Sequence, residues 1–370
     1  VSDVAVIFGG PSPEHDVSVL TGLQAARGLA LAGVGTIAAL YWSKTGDWFA
    51  VDPDLEAEAF LEGVPRGATR LQLVSAHGGG FSESGGRLGR ARQLDIDVAV
   101  VCCHGGPGED GSLQAALDLA GIAYTGPSVA GASVGMDKLA FGALVADAGL
   151  PTLPRLLLTA DAGAPSFDGP YILKPRFGGS SIGIDVVEDF ATARARLSAN
   201  PHFRSGVVLE PFRPDLGDLQ LAVRSWPSLQ LSAVERPLRS SGSADILDYR
   251  DKYVAGEGMA GAPRELPAQI PSSLEAALRV AATRVADLAG LRGVARIDFL
   301  SDGKEFVVNE INTIPGSLAR YLWVAPVVSF GDLLADLVAE ARQRPTHAYT
   351  AAGADGTVLR SAGSIAGKLG

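Results

Sequence analysis

Apolar residues along this chain fall into two patterns, short runs that read as strands and longer helix-period segments, and their order defines the elements. Residues 4–8 form an apolar strand that ends at a Gly9-Gly10 turn. An amphipathic helix follows from about 17 to 31, and residues 36–42 return as a second strand. The Gly- and Ser-rich stretch 77–89 has no core periodicity and is expected to be a surface loop. Residues 97–103 read as a buried strand, 104–111 as a Gly-rich loop and 113–120 as a helix, which closes an α/β unit over 1–127.

From Ser128 the pattern changes. A helix from Lys138 to Ala148 stops at Gly149 with Pro151 beyond, and an Ala-, Asp- and Pro-rich link leads to a strand at 171–174. The segment 175–183 turns back into a strand at 184–187, and a strand at 207–210 ends a smaller unit spanning 128–210. Residues 211–345 then hold strands at 219–224 and 230–235, a polar loop, a helix near 272–289, a hairpin over 296–312 and a last helix near 330–342. Residues 346–370, rich in Ala, Gly, Ser and Thr, are expected to be a weakly structured tail. No internal repeat is present.

A length of 370 residues fits two or three domains. The net charge of −10 excludes a nucleic-acid backbone as partner, since nothing resembles a basic stripe, and anionic substrates must be held by local groups. Cys102 and Cys103 are adjacent in an apolar run and read as small core residues rather than a disulfide or metal site, which suits a reducing compartment. No apolar run reaches membrane-spanning length and no signal-like start is present, so a soluble, cytoplasmic protein is expected.

Lysine usage sharpens the search. Of 31 basic residues only six are lysines, and three of those, Lys138, Lys174 and Lys252, fall in motif-like segments. A snorkelling lysine at an element end is the ordinary explanation. A compact ammonium reaching phosphate oxygens, where the planar guanidinium would not fit, is the functional one.

The hairpin RIDFLSDGKEFVVNEINTIPG is richer still. Strand alternation puts Arg296 and Asp298 on one face of one arm, and Glu310 and Asn312 on one face of the other. Two carboxylates and an amide suit Mg²⁺, which takes its remaining ligands from water and phosphate. An ordinary hairpin with exposed charges is the bland alternative, weakened by the apolar neighbours Ile297, Phe299, Val308 and Ile311, among which unpaired carboxylates are costly. A two-residue turn would send Glu310 to the face opposite Asp298, so a three- or five-residue loop is expected at Asp302-Gly303. Upstream, KPRFGGSSIG offers the backbone N–H groups of Gly178, Gly179, Ser180 and Ser181 as an anion-binding nest lying between strands, unlike a Walker A loop. A Gly-rich hairpin alone is more often just a turn; beside Lys174 and the carboxylate hairpin it reads as a nucleotide-covering flap.

Six motifs, FGGPSPEHDVS, HGGPGEDGSLQ, MDK, KPRFGGSSIG, DYRDKY and RIDF…NEINTIPG, occur in an order and spacing that resembles the D-alanine–D-alanine ligases of the ATP-grasp superfamily, over about residues 1 to 345. The resemblance implies an α/β (α+β) architecture of three domains, 1–127, 128–210 and 211–345, with ATP between the second and third and two Mg²⁺ ions, replaceable by Mn²⁺, on its phosphates. It assigns Lys138 and Lys174 to the α- and β-phosphates, Lys252 to the γ-phosphate, and Asp298, Glu310 and Asn312 to the metals. Gly179 and Ser181 belong to the flap, Glu210 and the backbone through Phe212 to the adenine, and Asp218 to the ribose. Glu14 would bind the ammonium of the first D-amino acid and join Ser180 and Tyr253 in a group closing the site. His104, Ser317 and Leu318 would line the amino-acid pockets. The resemblance also implies small-molecule amino-acid substrates and a homodimer, with no nucleic acid and no membrane.

These roles are chemically coherent. A carboxylate is a poor acyl donor, so ATP phosphorylates it first, which needs charge neutralisation rather than covalent participation by the protein. An amine then attacks the acyl phosphate, and the oxyanion that develops calls for Arg296 and the Gly316 N–H. Water must be excluded, and the polar loop 248–261 is the expected lid. Simpler explanations stand beside some assignments: Glu14 as a helix cap, Tyr253 as a packing residue, His104 as a loop anchor. Two departures from the family pattern stand out. SLARYLW follows the Pro315-Gly316 turn where small hydroxyl residues are usual, bringing Arg320, Tyr321 and Trp323 near the acceptor, and Pro211 removes a backbone donor after Glu210. The sequence thus points to a ligase making D-alanyl-D-alanine for peptidoglycan precursors. The alternatives are a ligase with another acceptor in specialised biosynthesis, and a non-catalytic nucleotide-binding module.

Overall fold

A computed structural model describes residues 3–83, 92–238, 263–344 and 349–368. The first third of the chain builds one eight-stranded sheet from β1 (Asp3–Gly9), β2 (Ile37–Trp42), β3 (Trp48–Val51), β4 (Thr69–Val74), β5 (Gly80–Glu83), β6 (Arg92–Gln93), β7 (Ile96–Val101) and β8 (Ala123–Tyr124). The spatial order is β6-β5-β4-β3-β2-β1-β7-β8, and β1 lies parallel to both β2 and β7. Helix α1 (His15–Leu31) crosses over between β1 and β2, and its buried Val19, Leu23, Ala26 and Leu29 recur at helical spacing against the sheet. Cys102 and Cys103 are buried free thiols at the end of β7.

The loop expected at 77–89 is partly a strand. Phe81 of β5 is fully buried, its ring 5.0 Å from that of Trp48. One aromatic among glycines and serines gives no periodicity, yet it is enough to seat a short antiparallel strand on β4.

Helices α2 (Ser112–Ala120), α3 (Val129–Met136) and α4 (Lys138–Asp147) lead out of this sheet. Asp137 caps α4, its carboxylate accepting from the N–H groups of Leu139 and Ala140 at 3.0 and 3.2 Å. A second sheet follows, with β9 (Leu156–Leu158), β10 (Tyr171–Pro175), β11 (Asp185–Val187) and β12 (Val207–Pro211) in the antiparallel order β11-β10-β12-β9, and α5 (Phe190–Ala199) packs on it. The third sheet holds β13 (Gly217–Arg224) and β14 (Gln230–Leu231). After the small pair β15 (Arg236–Pro237) and β16 (Arg264–Glu265), helix α6 (Ser272–Leu288) covers it, and β17 (Val294–Ser301) and β18 (Phe306–Asn312) complete the order β14-β13-β17-β18. Helices α7 (Phe330–Gln343) and α8 (Thr357–Ser361) end the described chain, and α8 buries nothing.

Core membership crosses chain order twice. Leu333, Leu334, Leu337 and Val338 of α7 join the first sheet's core, together with Ile314, Leu318 and Leu322 from the segment after β18. Phe141 and Val145 of α4 join the core of the third sheet. These crossings bring the loops of the first sheet onto the end of β18. Among the described residues no helix is long and apolar enough to cross a membrane.

Candidate active site

A cavity between the second and third sheets is lined by Lys138, Lys174, the 178–181 loop, Asp218, Arg296, Asp298 and Glu310. Its floor is the β17–β18 hairpin, where Arg296 pairs with Asn312 and Asp298 with Glu310. The odd-length turn expected there is absent: the loop is 302–305, of even length, and a β-bulge at Asn309 restores the parity by setting two residues of β18 against one of β17. The Arg296 guanidinium forks onto Asp298 with two hydrogen bonds of 2.7 Å, and the Asn312 amide donates to Asp298 Oδ2 at 3.0 Å. Lys138 Nζ lies 3.6 Å from Glu310 Oε2 and donates to the Gly178 carbonyl.

Among the described residues no three His, Cys, Asp or Glu side chains gather to hold a metal. Two facing carboxylates with one amide still fit a hard cation that takes its other oxygens from phosphate and water.

The lysine expectation acquires a setting. Lys174 donates to Glu210 Oε2 at 2.7 Å and to Asn309 Oδ1 at 3.2 Å, and Arg155 Nε stands 2.9 Å from the other Glu210 oxygen. Burial alone would raise the Glu210 pKa, but the Lys174 and Arg155 charges outweigh it and hold the carboxyl below its usual range. Glu210, Pro211 and Phe212, expected at the adenine, all line the cavity. The Glu210 carboxylate is 1% exposed and lies between two cations, hydrogen-bonded to Lys174 and in charge contact with Arg155. The Phe212 N–H is likewise engaged, donating to the Pro170 carbonyl at 2.7 Å, although Phe212 and Asp218 both line the cavity.

The flap approaches the first sheet. Ser180 and Ser181 both take left-handed backbone conformations, with φ of 52° and 59°, and the Ser180 hydroxyl donates to Glu14 Oε1. Glu14 stands at the N-cap of α1 but makes no side-chain cap bond, so capping does not explain it. Its other oxygen presses on the HGG loop: a Cβ at Gly105 would sit 2.4 Å from Glu14 Oε2, and φ there is +63°. Lys252, Tyr253 and the expected lid 248–261 lie outside the described residues.

His104 is a buried anchor. Its Nδ1–H donates to the Ile314 carbonyl at 2.7 Å, which leaves Nε2 to accept from the Thr21 hydroxyl at 2.8 Å. Burial, with the Arg296 charge adding to it against the Ile314 bond, pushes its pKa down to about 4, so the ring is neutral. Thr21 Oγ1 in turn accepts from the Ser317 N–H at 3.0 Å. Glu109 holds the same segment, its carboxylate accepting from the N–H groups of Gly105 and Ile314 at 2.9 and 3.0 Å. Burial and the nearby Glu14 charge push its pKa up to about 7.

These anchors fix a turn in which Ser317, Leu318 and Ala319 all have φ near +50°, immediately after Gly316. The Ser317 and Leu318 N–H groups are already engaged by Thr21 and Pro315, so the Ser317 hydroxyl is what these positions offer an incoming carboxylate. Arg320 is exposed and turns over the Phe330 ring at 5.4 Å. Tyr321 lies behind the cavity wall with its ring 4.5 Å from the Arg264 guanidinium, and Trp323 is buried under Arg224. Arg155, Asn309, Thr21, Glu109 and Arg264 were not singled out from sequence. Of these, Glu109 and Asn309 carried a signal, their places in HGGPGEDGSLQ and NEINTIPG.

Comparison with known proteins agrees with this geometry. Residues 3–127 match the family model described as D-ala D-ala ligase N-terminus, and residues 159–339 match D-ala D-ala ligase C-terminus. A D-alanine–D-alanine ligase of Bradyrhizobium sp. (strain ORS 278) is 31% identical over 353 residues, covering 92% of this chain and 95% of that protein. The crystal structure of D-alanyl-alanine synthetase A from Vibrio cholerae shares the fold, with a TM-score of 0.75 at 22% identity over 92% of this chain and 98% of that one. The VanG D-Ala:D-Ser ligase from Enterococcus faecalis gives a TM-score of 0.71 at 26% identity, over 92% and 99% of the two chains. Carboxylate hairpin, lysine-bearing cavity and both family matches lead to one conclusion, that this chain belongs to the D-alanine–D-alanine ligase family.

Proposed function

We propose that the protein joins two D-alanine molecules at the expense of ATP, through an acyl phosphate, for peptidoglycan precursor synthesis. One observation carries the reading: a single cavity is lined by Lys138, Lys174, Asp298 and Glu310, suited to phosphate and its metal, and by Ser180, which is bonded to Glu14, suited to an ammonium. In this reading Lys138 and Lys174 hold the phosphates, Asp218 the ribose, and Gly179 and Ser181 cover the nucleotide. Asp298, Glu310 and Asn312 would hold two Mg²⁺ ions, with Mn²⁺ an acceptable substitute. The ions, when bound, supply neutralising charge to the phosphates.

Glu14 binds the first amino acid's ammonium, which directs its carboxylate oxygen toward the γ-phosphorus. ADP leaves, the second amine attacks the acyl carbon as its free base, and the tetrahedral adduct breaks its C–O bond to expel inorganic phosphate, which takes up the amine's proton. Arg296, already oriented by its fork on Asp298, and the Gly316 N–H stabilise the oxyanion. His104, neutral and bonded at both nitrogens, serves to hold the Gly316 turn. Lys252 and Tyr253 keep the γ-phosphate and site-closing roles that the family resemblance gives them. Location in the cytoplasm and assembly as a homodimer belong to the same proposal.

A different acceptor was the alternative raised by SLARYLW. Arg320 turns outward, which removes the cation that idea would have used, so D-alanine is favoured as acceptor. Isotope transfer tests the mechanism. With D-alanine labelled by ¹⁸O in its carboxylate, inorganic phosphate should carry one ¹⁸O per dipeptide formed, and unlabelled phosphate would refute the acyl-phosphate route.

A further inference from the structure

Arg155 lies in the segment that reads from sequence as a mere link, yet its side chain is only 6% exposed beneath the cavity wall. Its two terminal nitrogens are hydrogen-bonded, and Nε makes a charge contact without hydrogen-bond geometry. Nε stands 2.9 Å from Glu210, while the terminal nitrogens donate to the carbonyls of Lys138 and Asn309. Lys138 opens α4, Glu210 is on β12, and Asn309 is the bulge of β18. One guanidinium therefore joins three elements at the point where the two sheets meet under the cavity.

The neighbouring helix makes room for it. A Cβ at Gly142, inside α4, would fall 2.5 Å from Arg155 Cδ and 2.6 Å from a terminal nitrogen. Glycine inside a helix is otherwise unfavourable. The residue type at 142 is thus explained by the guanidinium beside it.

Charge counting suggests the purpose. Lys174 and Glu210 alone would be a neutral pair, with the ammonium facing its own carboxylate rather than a ligand. Arg155 adds a second cation around that carboxylate, which leaves one surplus positive charge for Lys174 to present to the cavity. By gripping the Asn309 carbonyl it also holds the bulge on which the Asp298–Glu310 pairing depends.

We propose that Arg155 is a positioning residue for the nucleotide phosphates, acting through Lys174 and the Asn309 bulge. This rests on the ligase reading only in taking Lys174 and Glu310 as nucleotide-phosphate groups.

Steady-state kinetics and Mg-ADP calorimetry on the full chain test it. Arg155→Met should raise KM for ATP about tenfold or more, the loss expected for hydrogen bonds to a charged group, and raise the Mg²⁺ needed for half-maximal rate. KM for D-alanine should stay within about twofold, because Glu14 and Ser180 are untouched. Adding Glu210→Gln to that variant removes the competing carboxylate and should recover a large part of the ATP affinity. Should Arg155→Met fail to fold, Gly142→Ala decides, since it keeps the guanidinium but displaces it and should give the same ATP-selective defect. An unchanged ATP KM, a parallel rise for ATP and D-alanine, or no recovery with Glu210→Gln would each overturn the proposal. Calorimetry separates it from the reading of function: a parent that binds Mg-ADP tightly, and an Arg155→Met variant that binds it weakly, uphold Arg155 even if the parent forms no dipeptide.

Discussion

Asp298 is held from two sides, by the Arg296 fork and the Asn312 amide, so both its oxygens are oriented before a ligand arrives. Asp298→Asn and Glu310→Gln should each lower turnover by about a hundredfold or more with little change in thermal stability, since charge neutralisation of the phosphoryl group is what they serve. Near-normal rates in either at ordinary Mg²⁺ would refute the assignment. His104 makes a pH prediction. Its folded pKa lies below its unfolded value, so the stability it confers is complete above pH 6.5 and is lost as pH falls toward 4. Glu109, with its pKa raised to about 7, contributes the opposite slope to parent and variant alike, so between those limits the stability of the parent relative to His104→Gln should rise by about 1.4 kcal/mol per pH unit in urea unfolding. Side-chain types at strand spacing made Asp298, Glu310 and the lysines legible in the sequence. Burial and long-range partners are not written there, so the Lys174–Glu210 pair is not legible, and neither is Arg155, whose partners lie up to 154 residues away.

At the scale of elements, most strands and helices of the site are readable from periodicity, and the two departures have separate physical causes. A hairpin's loop parity predicts facing side chains only when the ladder is regular, and the Asn309 bulge breaks that condition. The short β5 strand was missed because a single buried aromatic carries it. The bulge yields a direct test. Inserting an alanine between Asn309 and Glu310 should take Glu310 out of register with Asp298, because Asn309 already fills the bulge and one further residue shifts the strand beyond it. Catalysis should vanish while circular dichroism keeps the parent's secondary structure. Activity within about tenfold of the parent would mean that the Asp298–Glu310 pairing does not matter, since a register change flips every side chain beyond it.

Over the whole molecule, the first core is completed by the last long helix, a link that local pattern does not reveal because α7 reads as an ordinary amphipathic helix wherever it docks. Ending the chain after Val328 would expose the faces that Leu333, Leu334, Leu337 and Val338 cover, at about 1.5–3 kcal/mol for each side chain lost. That sum rivals the stability of a whole domain, so this truncation should not fold. Ending it after Arg344 should leave Tm nearly unchanged, because no described residue from 349 onward is buried. The same docking of α7 and of the 314–322 segment brings His104, Glu109 and Glu14 to the end of β18, which is the physical basis of the joint nucleotide and amino-acid role proposed for the cavity. The most direct test of that joint role is product analysis with ATP, Mg²⁺ and D-alanine as the only amino acid. The account predicts D-alanyl-D-alanine, ADP and phosphate in equal amounts, whereas no phosphate release, or release only when a different amine is added, would contradict it.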